Sequence, residues 1–95
     1  MLDLKLVDHF LRIAELGSIN RAAIELGLSQ PTVARSLDQL ERDLGQRLVV
    51  RRRTGISVTD AGQVLIARGE QLLRQAASIR AVSYTHLRAH ETGRN

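Results

Sequence analysis

Apolar residues recur at Leu4, Val7, Phe10, Leu11 and Ala14, with Leu6 and Ile13 beside them. Steps of three and one put these side chains on one face of a helix over residues 3–16. Gly17 is a natural stop in left-handed geometry. Ser18 follows as an N-cap, its hydroxyl satisfying an orphan amide of the next helix. That second helix is short, Ile19 to Leu26, with Ala22, Ala23 and Leu26 inward, and Gly27 ends it. Ser29 caps a third helix whose first turn holds Pro31, where a missing N–H costs nothing. Val33, Leu37, Leu40 and Leu44 make its inward stripe, and Gly45 closes it.

The pattern then changes. Leu48-Val49-Val50 and Ser57-Val58, with a turn at Thr54-Gly55, predict a small two-stranded hairpin. Thr59 caps a last long helix, with Asp60 at its positive end, running to about Ala81. The predicted order is helix, helix, helix, hairpin, long helix, mainly α.

Composition narrows the chemistry. A chain of 95 residues supports one domain. The lack of Cys excludes a disulfide scaffold, an iron–sulfur cluster and a thiolate zinc site. No apolar run approaches the ~20 residues of a membrane span. Met1-Leu2-Asp3-Leu4-Lys5 begins no secretory signal, so the expected location is the cytoplasm, with no membrane partner. Phe10 and Tyr84 are the only aromatic residues, which argues against a stacking platform for single-stranded nucleic acid.

The net charge of +4 is unevenly spread. Arg47, Arg51, Arg52 and Arg53 fall close together, just after the acid-rich stretch from Asp38 to Asp43. A basic knot beside a helix suits phosphate contact, although an isolated arginine run reads equally well as a solvated loop. What precedes it decides. A short helix, a tight turn at Gly27-Leu28-Ser29 and a longer amphipathic helix make a helix-turn-helix, and small Ala22 and Ala23 let the two helices pack closely. In that geometry the second helix of the pair enters the major groove. Its outward face begins with Gln30, Pro31, Thr32, Ala34 and Arg35. Gln pairs with adenine, Arg with guanine, and a Thr or Ala methyl meets the thymine methyl. Asn20 and Arg21 open the preceding helix and are placed to hold a phosphate, and Arg52 and Arg53 stand near the hairpin tip. The expected fold is therefore a winged helix-turn-helix over residues 1–58 and a linker helix over 59–81, and the expected partner is double-stranded DNA.

Ala22-Ala23, Leu26, Ser29-Gln30-Pro31, Val33, Leu40-Glu41, Leu44-Gly45, Leu48, Arg51 and Thr59-Asp60-Ala61-Gly62 resemble the LysR-type transcriptional regulators over residues 3 to about 80. The resemblance implies a sequence-specific, promoter-binding transcription regulator that assembles through its long helix. It also implies a small-molecule effector domain in a full-length member, which the residues after the long helix do not resemble. Carried over by position, Gln30, Pro31, Thr32 and Arg35 are the base-reading residues, with phosphate contacts from the second helix and the wing. Ala34 stands where the family usually has Ser, and Val49 where it usually has Phe, a smaller plug under the wing.

Leu65, Leu72 and Ile79 recur every seven residues on the last helix, with Gly69 and Ala76 four residues after the first two, small residues expected to let a helix of a second subunit approach closely. A helix of ~22 residues is about 33 Å long, more than a domain of this size covers alone. The expectation is a homodimer joined along Leu65, Leu72 and Ile79. Residues 82–95 are unlike the family, and Val82 to Thr92 reads letter for letter as one frame of a transposon-end sequencing adapter. That segment is expected to be a non-native, disordered tail. His86, His90 and Glu91 within it lack a third ligand and a buried setting, so no metal is expected. No cofactor is expected either. No catalytic Ser/His/Asp set, phosphate-binding loop or carboxylate pair is visible, and His9 beside Phe10 reads as partly buried, so the chain is not expected to be an enzyme. The alternative is a winged helix that binds protein or RNA, which needs neither the Ser-Gln-Pro start nor an arginine-tipped wing.

Overall fold

The computed structural model describes residues 2–91, with side-chain surroundings for residues 2–79. Helices α1 (Leu4–Leu16), α2 (Ile19–Leu26) and α3 (Gln30–Leu44) precede strands β1 (Val49–Arg52) and β2 (Gly55–Val58), and α4 (Asp60–Glu91) follows. Three polar side chains set the starts of the first three helices. Asp3 accepts from the Lys5 N–H at 2.9 Å, Ser18 from Arg21 at 3.1 Å and Ser29 from Thr32 at 3.3 Å. Gly27, at φ 70°, reverses the chain after α2, and the Leu28 N–H returns to the Ala23 carbonyl at 2.9 Å. An L side chain is strained at that φ, so the turn that aims α3 depends on glycine.

The core gathers where the first three helices meet. Val7, Phe10 and Ile13 of α1 pack with Ala22 and Ala23 of α2 and with Val33, Leu37 and Leu40 of α3, closed below by Leu48 and Val49. Burying one of the larger side chains here stabilises the fold by roughly 1.5–3 kcal/mol. One polar pair lies among them. His9 Nδ1 is 3.0 Å from Ser36 Oγ, both residues buried, so each group satisfies the other across the α1–α3 contact.

β1 and β2 pair antiparallel, with Val49 opposite Val58, Val50 opposite Ser57, Arg51 opposite Ile56 and Arg52 opposite Gly55. The turn falls at Arg53-Thr54, one residue before the expected Thr54-Gly55. Gly55 instead opens β2, at φ 132°. Thr59 then joins the wing to α4. Its hydroxyl donates to the Arg47 carbonyl at 2.6 Å and accepts from the Gly62 N–H at 3.1 Å.

At four points the structure departs from the expectation or adds to it. Leu44 does not continue the buried stripe of α3. At 39% exposed, it lines a shallow groove with Leu48, Val64 and Leu65, because the last turn of α3 forms the groove's rim. Gly69 is consumed within the chain: a Cβ there would meet Val7 Cγ1 at 2.9 Å, so its smallness admits α1 of the same domain. Leu65 is likewise half-buried on the domain's own core, which leaves Leu72 and Ile79 as the exposed members of the heptad set. The backbone of α4 continues past Ala81, the expected end of the linker helix, to Glu91, and no Gly or Pro lies between Gly69 and Gly93. Residues 92–95 and the side chains of His86, His90 and Glu91 lie outside the described residues.

Candidate nucleic-acid interface

The N-terminal turns of α3 carry the base-reading candidates. Gln30, Pro31 and Arg35 are exposed and Thr32 is half-buried. Ala34, expected beside them, is half-buried against the core. Thr32 is held from two sides. Its hydroxyl lies 2.8 Å from Ser29 Oγ and accepts from Arg35 Nη2 at 3.4 Å. The capping serine, the threonine and the arginine thus form one chain of hydrogen bonds along the first turns. No acidic side chain occupies the first turn of α3. The positive end of the helix dipole therefore faces outward without a competing carboxylate.

Asn20 and Arg21, both exposed, open α2. In the wing, Arg52 and Arg53 are exposed, and Arg52 Nε donates to Ser57 Oγ at 2.9 Å, which steadies the guanidinium base while leaving its terminal nitrogens open. Hydrogen bonds bring Ser29, Thr32 and Arg35 together. Among the described residues, none ties Arg52 or Arg53 to α3.

Two acids of α3 to which the sequence reading gives no structural role build the join to the wing. Glu41 Oε2 accepts from the Leu48 N–H at 2.7 Å and the Val49 N–H at 3.3 Å. Asp38 Oδ1 lies 3.0 Å from Arg51 Nη2. The local signal for both was the acid-rich stretch immediately before the arginine run. Arg12 of α1 pairs with Glu25 of α2 at 3.0 Å.

A helix pair joined by a tight glycine turn, followed by a two-stranded hairpin, defines a winged helix-turn-helix. Residues 4–63 match the bacterial regulatory helix-turn-helix protein, lysR family. The chain belongs to that family. It is 44% identical over 66 residues to the HTH-type transcriptional regulator TdcA of Escherichia coli (strain K12), a match covering 70% of this chain and 21% of the relative. It is 43% identical over 79 residues to the HTH-type transcriptional regulator BbuR of Bordetella bronchiseptica, covering 83% and 24%. The chain thus spans about a fifth to a quarter of the length of these relatives. Its fold is also that of the crystal structure of the CbnR_DBD–DNA complex, with a TM-score of 0.87, 30% sequence identity, and coverage of 90% of this chain and 98% of that one. Among the described residues no helix is long and apolar enough to cross a membrane.

Proposed function

We propose that this chain is the DNA-binding part of a transcription regulator and reads sequence through α3 in the major groove. The observation that carries the reading is the first two turns of α3, which present Gln30, Pro31, Thr32 and Arg35 around an N-terminus free of acids. Gln30 is suited to adenine, the Thr32 methyl to thymine and Arg35 to the N7/O6 edge of guanine. Asn20 and Arg21 at the start of α2 take one stretch of phosphate, and Arg52 and Arg53 take another or enter the minor groove. The DNA complex of the similarly folded CbnR domain and the regulator names of TdcA and BbuR support this assignment. The chain acts in the cytoplasm, where chromosomal DNA is, and does no chemistry of its own. It works as a homodimer, with Leu72 and Ile79 of α4 in the seam and Leu65 at its edge. Effector sensing is assigned to a further domain of the complete regulator.

The test is enrichment from a pool of random-sequence duplexes. Repeated rounds of binding and recovery are expected to converge on one motif, present as two half-sites related by a dyad. Recovery of duplexes without a shared motif, or retention of RNA over duplex DNA, contradicts the proposal.

A further inference from the structure

Three consecutive arginines occupy the wing, and the strand geometry divides them. Alternation along β1 puts Val49 and Arg51 on one face and Val50 and Arg52 on the other. Val49 is fully buried, so its face looks onto the domain, and Ile56, opposite Arg51, also packs against the core. From that inner face Arg51 Nη2 donates to Asp38 Oδ1 of α3 at 3.0 Å. Among the described residues the Arg52 side chain, on the outer face, bonds only to Ser57 within the wing, and Arg53 stands in the turn.

We propose that Arg51 is a positioning residue and not a phosphate contact: paired with Asp38, it latches the wing to α3 and fixes the angle at which Arg52 and Arg53 meet DNA. This rests on the reading of α3 and the wing as DNA contacts. A two-stranded ribbon has little rigidity of its own. Here Glu41 holds its base through the Leu48 and Val49 amides, and Asp38, three residues earlier on α3, holds the next inward-facing position. Two fixed points set a direction where one would leave a pivot. The side chains are 44% and 49% exposed, so a modest effect is expected.

The experiment uses the whole chain, Asp38→Asn, Arg51→Gln and the double variant, with Arg52→Ala for comparison. Each is titrated across a salt series against a duplex recovered from the random pool by the unaltered chain. Asp38→Asn and Arg51→Gln are each expected to weaken binding about 2- to 5-fold, and the double variant no more than either alone. The salt slope is expected to fall by about one for Arg52→Ala and to hold for Arg51→Gln. Tighter binding by Asp38→Asn, or a slope lowered by Arg51→Gln, overturns the latch and makes Arg51 a phosphate contact. Amide hydrogen exchange in the β1–β2 hairpin without DNA decides the same point independently. Faster exchange in Asp38→Asn supports the latch, and unchanged exchange overturns it. An unaltered chain that binds no duplex defeats the DNA reading and leaves the exchange result to judge the latch.

Discussion

The Glu41 carboxylate accepts the Leu48 backbone N–H at 2.7 Å, fastening the last turn of the recognition helix to the residue just before β1. The same oxygen takes the Val49 N–H at 3.3 Å, and the Glu41 side chain is only 10% exposed. Two part-buried amides therefore depend on one acceptor. Glu41→Ala is expected to cost roughly 1–3 kcal/mol. That lowers the melting temperature by about 4–8 °C per kcal/mol for a domain of this size. Glu41→Gln keeps an acceptor oxygen and is expected to lose less. Thermal melts followed by circular dichroism give the order, and equal losses in the two variants contradict it.

Gly62 and Gly69 both lie on the inner side of α4, yet alanine should act differently at each. A Cβ on Gly62 would overlap the Leu48 carbonyl oxygen and Val58 Cγ1, and the carbonyl is backbone that cannot step aside. Gly62→Ala is expected to destabilise by about 1–3 kcal/mol. At Gly69 the nearest atom is the end of the Val7 side chain, at 2.9 Å. Val7 is fully buried and branched at Cβ, so it yields little, and the gain of up to ~1 kcal/mol from replacing a helical glycine by alanine offsets only part of that crowding. Urea denaturation is expected to put Gly69→Ala below the parent and Gly62→Ala further below. The reverse order would show that α4 does not sit on the hairpin as described.

Much of this arrangement was legible in the sequence because it rests on local chemistry. Ser18 and Ser29 announce two helix starts, Gly17, Gly27 and Gly45 announce three stops, and the cap bonds and positive φ angles agree. Leu44 and Gly69 were misread because periodicity gives a face without saying what lies against it. The stripe of α3 outruns its cover, and the small residue of α4 serves the chain's own α1. The wing join was missed for the same reason: nothing local says that Asp38 meets a residue thirteen positions on, or that Glu41 reaches backbone amides seven and eight positions away.

Leu72 and Ile79 are 39% and 66% exposed on α4, and Val64, at 55%, continues the apolar strip toward Leu44. Each Leu or Ile fully buried across a seam contributes roughly 1.5–3 kcal/mol before the entropy of association is subtracted. Self-association at micromolar concentration, or only on DNA, is therefore expected. Leu72→Asp places a charge in the seam and should abolish it. Sedimentation with and without a two-half-site duplex checks this. A parent chain that stays monomeric on such a duplex, or a Leu72→Asp variant that still pairs, contradicts the seam.

Arg52 and Arg53 carry exposed guanidinium groups at the outer end of the hairpin. Replacing both by Ala is expected to weaken binding to every duplex alike and to lower the salt slope by about one to two. Titrations from low to moderate salt on selected and scrambled duplexes measure this. A slope that does not change removes the wing from the DNA contacts.

The central claim, that the N-terminal turns of α3 read base edges, is tested most directly at Arg35, which is exposed and, among the described residues, has its side chain hydrogen-bonded only to Thr32 at 3.4 Å. The measurement is a binding titration of the parent chain and Arg35→Ala against the duplex recovered by selection and against the same bases scrambled. The account predicts that Arg35→Ala loses about 1–3 kcal/mol on the selected duplex and much less on the scrambled one, so that sequence preference relaxes. Equal losses on the two duplexes would make Arg35 a backbone contact and contradict base reading by α3.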